Sequence, residues 1–194
     1  MRERTGEAID HLQTDSVMAE LIDTHGEVHL EPADDPFERL VASIIRQQIS
    51  MDAASAIQRR LERTVDITPS TLLEVDRGAL EGAGLSRQKI STLRNVATAF
   101  EEQAYDRAHF EGLDDDEVID ELTAIHGVGP WTAKMFLIFC LARPDVFPIE
   151  DLGIRNGITT LYDTSSNREE MHQLAERWRP YRTYASCYIW RGMD

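Results

Sequence analysis

At 194 residues, 42% of them apolar, the chain can bury a sizeable core as one domain or two small lobes, and no apolar run approaches the length of a bilayer span. Two cysteines, Cys140 and Cys187, are too few for a four-thiolate metal site. Thirty-five acidic residues against 20 basic ones give a net charge of −15, which should repel nucleic acid in dilute salt.

Taken in order, the chain reads as helix after helix. The opening residues MRERTGEAIDHLQ mix charges and carry no hydrophobic signal core, so a cytoplasmic location and unpaired thiols are expected. Only Glu27–Leu30 hints at a strand. Asp35 and Pro36 supply an N-cap and a first-turn proline to a helix with Phe37, Leu40, Val41, Ile44 and Ile45 on one face. Gln48 extends that stripe with an amide. Ser50 caps a helix burying Ala53, Ala54, Ile57 and Leu61, and Thr68-Pro69 opens a short one. After the break at Gly82 and Gly84, Ser86 starts a helix carrying Ile90, Leu93, Val96, Ala97 and Phe100 inward. The acidic run 114–117 suits a helix N-terminus. Val118, Ile119, Leu122 and Ile125 form the stripe of the helix that follows. Further helices are predicted over 131–141, 151–162, 171–178 and 183–191. The fold class is all-α.

The stretch LTAIHGVGPWTAKMFLIFCLARPDVFPIEDLGI, residues 122–154, holds the most chemistry. Gly127 and Gly129 end one helix, and Pro130 begins the next. Such glycines admit unusual backbone angles and a closely approaching phosphate, while the amides near Thr132 face outward from a positive helix end. Lys134 adds a charge one turn on. An ordinary tight helix–helix turn is the plainer alternative. Asp151 stands at the start of a later helix, where a carboxylate can be an N-cap, a catalytic group, or both. Glu150 beside it reads as solvated. Tyr184, Tyr188 and Trp178 read as core packing, His126 as solvent-facing, and His25 with His29 lack a third zinc ligand.

The whole pattern L-x-x-I-x-G-V-G-x-W-T-A resembles the helix-hairpin-helix DNA glycosylases, specifically the 3-methyladenine DNA glycosylase II family. Phe37-x-x-Leu40 through Arg46-Gln47-Gln48-Ile49-Ser50, then Gly84-Leu85-Ser86 with Lys89, match its DNA-facing loops. Arg143 to Pro148, Glu150-Asp151-Leu152-Gly153, Trp178-x-Pro180 and Tyr184-Ala185 to Trp190 continue the likeness, so it spans about residues 30–191 without the extra N-terminal β domain of larger members. The resemblance implies a two-lobe helical fold with the active site in the cleft between lobes. One lobe would be residues 26–143, and the other 1–25 with 144–194.

The resemblance also implies roles. Asp151 would be the catalytic aspartate. Trp131 and Trp190, with Met135 and Leu152 where relatives carry aromatics, would line the base pocket. Gln48 would fill the stack vacated by a flipped base, a helix-end hydrogen bond being its alternative. Gly127, Gly129, Thr132, Lys134, Ser86 and Lys89 would touch DNA. The main-chain carbonyls of Thr123, Ile125 and Val128 could ligate Na+ or K+; no other cofactor is expected. Lyase relatives carry a nucleophilic lysine where this chain has Trp131, which cannot form a Schiff base. The expected activity is removal of alkylated purines from double-stranded DNA by a monomer. Oxidised or deaminated bases, or a non-catalytic DNA-binding module, are the alternatives.

Eighteen of the 20 bases are arginine, leaving Lys89 and Lys134 as the lysines. An acidic, lysine-poor surface suits a salt-rich cytoplasm, where charge repulsion is screened within about 3 Å at 1 M salt. An acidic solvated surface with a local basic footprint is the other reading.

Overall fold

The computed structural model describes residues 2–164 and 167–193, and every regular element among them is helical. The order is α1 (Arg2–Leu12), α2 (Ser16–His25), α3 (Pro36–Arg46), α4 (Met51–Thr64), α5 (Pro69–Glu74), α6 (Arg77–Gly82) and α7 (Arg87–Gln103). Then come α8 (Arg107–Glu111), α9 (Asp115–Thr123), α10 (Pro130–Phe139), α11 (Leu152–Leu161), α12 (Arg168–Ala175) and α13 (Arg182–Arg191), with a 3-10 turn at Glu176–Trp178.

The caps named by the sequence close. The side chains of Asp35, Ser50, Thr68 and Ser86 accept first-turn N–H groups of Glu38, Ala53, Thr71 and Lys89 at 3.0 to 3.3 Å. Each satisfies a donor that the helix itself leaves unpaired. At α9 the acidic run does more: Asp114 and Glu117 bond each other's backbone N–H in a capping box.

The backbone divides into two compact units. One is Ala33–Leu141. Its core is built on α3, whose Leu40, Val41, Ile44 and Ile45 are fully buried against α7 and α10. Phe100, Phe110 and Phe136 stack edge-on and tilted within it. Cys140 is a free, buried thiol, pushed up to about 12 by desolvation.

The other unit joins Met1–Pro32 to Ala142–Asp194. Trp178, Tyr188, Met18 and Leu12 are buried at its centre, and α13 packs on α2 and α11. Residues 26–32 and 142–143, which the sequence places in the central lobe, lie here instead. Val28 and Leu30 are buried in this unit's core while Glu27 and His29 are exposed. The alternation that hints at a strand is therefore real, but no strand pairs with it among the described residues. It is an extended segment anchored by every second side chain. The Tyr188 hydroxyl holds its start, donating to the Gly26 carbonyl at 3.0 Å.

Candidate functional site

The segment leading to Asp151 is pinned by the start of α13. Arg182 grips the Asp145 carboxylate with two bonds, Nε to Oδ1 at 2.7 Å and Nη2 to Oδ2 at 3.0 Å, and also donates to the Asp145 carbonyl at 2.9 Å. Such bidentate pairs fix direction as well as distance. The buried Thr183 hydroxyl donates to the Arg143 carbonyl at 2.7 Å and accepts from Val146 N at 2.9 Å. Farther along, Arg155 Nη1 donates to the carbonyls of Ile149 and Glu150 at 2.9 and 2.7 Å. The backbone leading to Asp151 is thus held by cations and a hydroxyl reaching out of helices.

Asp151 is the N-cap of α11, its Oδ1 accepting from Ile154 N at 2.9 Å. The same oxygen accepts the indole N–H of Trp190 at 2.9 Å. Two glycines allow this. A Cβ on Gly153 would stand 3.0 Å from Asp151 Oδ1 and 3.3 Å from Trp190 Cδ1, and one on Gly157 would stand 2.3 Å from Ile189 Cγ2. Four residues apart, Gly153 and Gly157 share one face of α11 and let α13 come close. That G-x-x-x-G spacing is legible in the sequence and is the signal that would have found the contact. Leu152, next to Asp151, is 61% exposed.

In the other unit the two hairpin glycines differ. Gly127 has φ +98, and a Cβ there would lie 2.1 Å from Thr92 Oγ1, so only glycine fits. Gly129 has φ −108, an angle open to any residue. The expectation that both take glycine-only angles holds for Gly127 alone. What Gly129 offers is room: among the described residues nothing lies within 4 Å of where its Cβ would be, and no side chain caps α10. The hairpin is braced from behind. Asn95 Nδ2 donates to the His126 carbonyl at 3.0 Å, and the buried Thr132 hydroxyl accepts from Gln47 Nε2 at 2.8 Å. His126 is exposed.

Gln47 is a residue that sequence reasoning missed, and the reason lies in where α3 stops. The helix ends at Arg46, so Gln48 does not continue its stripe. Gln48 takes φ +57 and is exposed, and its side chain makes no hydrogen bond among the described residues. The helix-end bond belongs to the Gln47 backbone, whose N–H reaches Ile44 O at 3.2 Å. Lys89 braces the same helix end, its Nζ donating to the Ile45 carbonyl at 2.5 Å, and partial burial lowers its pKa. Ser86 is exposed at the adjoining helix start.

Residues 41–180 match the model of the HhH-GPD superfamily base excision DNA repair proteins. The chain belongs to this superfamily. It is 34% identical over 164 residues to DNA-3-methyladenine glycosylase 1 of Schizosaccharomyces pombe, covering 81% of this chain and 72% of that protein. The crystal structure of the Bacillus halodurans DNA-3-methyladenine glycosidase is 37% identical, with a TM-score of 0.78 over 94% of this chain and 86% of that one. The S. pombe 3-methyladenine DNA glycosylase Mag1 in complex with abasic DNA is 31% identical, with a TM-score of 0.87 over 95% of both chains.

Within this HhH-GPD chain the candidate residues fall into two groups. Asp151, Leu152 and Trp190 belong to the unit of the two termini; Gln48, Ser86, Lys89, Gly127, Gly129, Trp131, Thr132, Lys134 and Met135 belong to the other. Trp131 and Lys134 are half-buried on α10, while Met135 is packed inside at 5% exposure. A side chain so enclosed supports its neighbours and presents little surface to a ligand. Of the three hairpin carbonyls, that of Ile125 accepts from Val128 N at 3.0 Å, whereas no described backbone N–H is bonded to those of Thr123 and Val128. Oxygens of that kind have the capacity to ligate a hard monovalent cation.

Proposed function

We propose that this HhH-GPD protein is a monofunctional DNA glycosylase that removes alkylated purines of the 3-methyladenine type from duplex DNA, as a monomer in the cytoplasm. Water replaces the base at the sugar C1′, giving free base and an abasic site. The observation that carries this reading is Asp151: one carboxylate, fixed by donors from two helices, in a chain whose relatives are named for this reaction.

The chemistry follows from charge. As the N-glycosidic bond breaks, its electron pair leaves with the base and positive charge builds on the sugar. The Asp151 carboxylate stabilises that charge and orients a water, whose oxygen bonds C1′ while its proton passes to the carboxylate or solvent. An alkylated purine is cationic before cleavage and leaves neutral, so no second carboxyl group is required to protonate it, unlike O-glycoside hydrolysis. The base must leave the stack first. Gln48, strained, exposed and untethered, suits the vacated place, and the uncrowded N-terminus of α10 at Gly129 suits a phosphate. The carbonyls of Thr123, Ile125 and Val128 would hold Na+ or K+, which adds positive charge at the hairpin. Leu152 offers apolar surface beside the carboxylate.

Duplex oligonucleotides, each carrying one lesion, test the reading in high salt. The expected outcome is release of 3-methyladenine or 7-methylguanine, leaving abasic strands that break only on alkali or heat. A stoichiometric protein–DNA adduct trapped by borohydride would overturn the monofunctional assignment. Tight duplex binding with no base released from any lesion would leave only a DNA-binding module.

A further inference from the structure

We propose that Trp190 is a positioning residue for Asp151, acting through its indole N–H, and that Gly153 and Gly157 serve to admit it. The inference rests on the glycosylase reading, in which the direction of the Asp151 carboxylate matters. An N-cap bond alone leaves a carboxylate free to swing. Here Oδ1 receives one N–H from its own helix at Ile154 and a second from α13 at Trp190, both at 2.9 Å. Two donors arriving from different elements determine the side-chain rotamer and therefore where Oδ2 points relative to α11. Such orientation is worth a great deal in a reaction where a 1 Å misplacement can cost about 10²-fold.

The glycines show what this geometry demands of the packing. At Gly157 any Cβ would collide with Ile189, the residue before Trp190, so the missing side chain sets how closely α13 sits. At Gly153 a Cβ would be 3.0 Å from the carboxylate oxygen and 3.3 to 3.4 Å from the indole at Cδ1 and Nε1. It would wedge apart the two groups that bond. Arg155, on the same helix, holds the carbonyls of Ile149 and Glu150, so the backbone that delivers Asp151 is fixed as well. A tryptophan needed merely as an aromatic surface for a base has no use for an N–H aimed at this oxygen.

Phenylalanine separates the two roles, because it keeps an aromatic face and loses the N–H. In single-turnover excision of a 7-methylguanine duplex, Trp190→Phe should lower the saturating rate by about 10- to 100-fold, with half-saturation within about threefold of wild type. Gly153→Ala should show a smaller loss of the same kind, the weakened bond lowering the melting temperature and the better helix propensity of alanine offsetting part of that fall. A Trp190→Phe rate within twofold of wild type, or a change confined to half-saturation, would overturn the proposal. A second readout is independent of activity. In proton–nitrogen correlation spectra of the folded chain, Asp151→Ala should shift the Trp190 indole resonance and speed its hydrogen exchange, while that of Trp178 stays in place. An unmoved Trp190 indole would also overturn it. Should wild type release no base while the indole still reports the bond, the glycosylase reading alone fails.

Discussion

Replacing Asp151 with asparagine separates charge from geometry. Oδ1 accepts from Ile154 N and Trp190 Nε1, and an asparagine carbonyl in the same place can accept both. Asparagine caps helices about as well as aspartate. The local loss is then the carboxylate's interaction with the helix N-terminus, about 0.3–1 kcal/mol. At about 2–4 °C per kcal/mol for a chain of this size, the melting temperature should fall by less than about 4 °C. Under the proposed mechanism excision should fall by about 10²–10³-fold, because the variant lacks the charge that would stabilise the developing cation. Asp151→Ala differs in kind. It removes the cap, about 1 kcal/mol, and a charged hydrogen bond, about 1.5–3 kcal/mol, so melting should drop by roughly 5–16 °C. Thermal melts and single-turnover excision in the same buffer give both numbers. Asparagine excising within tenfold of wild type would remove the charge from the mechanism. Equal melting losses for the two variants would show that the carboxylate is chiefly a fold element.

The hairpin glycines should respond oppositely. Gly127→Ala should cost about 2–5 kcal/mol in urea unfolding, combining left-handed strain with a Cβ 2.1 Å from Thr92 Oγ1. Gly129→Ala should leave stability unchanged or up to about 1 kcal/mol higher, yet weaken duplex binding by about tenfold, because its methyl stands where a phosphate would approach; equal affinity would argue against a phosphate site there. Gln48→Gly relieves about 1–2 kcal/mol of left-handed strain against about 0.5–1 kcal/mol of glycine entropy, so melting should hold or rise slightly while excision falls. Full excision by that variant would show that the Gln48 side chain fills no gap. With −15 net charge, activity should climb with potassium chloride to an optimum on the order of 1 M, where the Debye length is about 3 Å. A maximum below about 0.1 M in folded protein would contradict a salt-adapted surface.

What the sequence determined by itself is local. Asp35, Ser50, Thr68, Ser86 and Asp151 each cap the helix they precede, because a cap reaches two or three residues along its own chain and its chemistry is complete within that window. The all-helical class follows from the same caps together with inward stripes such as Leu40, Val41, Ile44 and Ile45, and the hairpin pattern located the superfamily. Tertiary structure decided whatever joins distant residues. Periodicity says which face of α13 is buried; it does not say that α11 lies beneath it or that Trp190, 39 residues from Asp151, bonds its carboxylate. Nor does it say that Gln47, rather than Gln48, reaches Thr132 across 85 residues. Val28 and Leu30 alternate as a strand would, but burial in a helical core satisfies that alternation with no partner strand among the described residues. A side-chain pattern specifies that surface must be covered, and only the packed chain specifies what covers it.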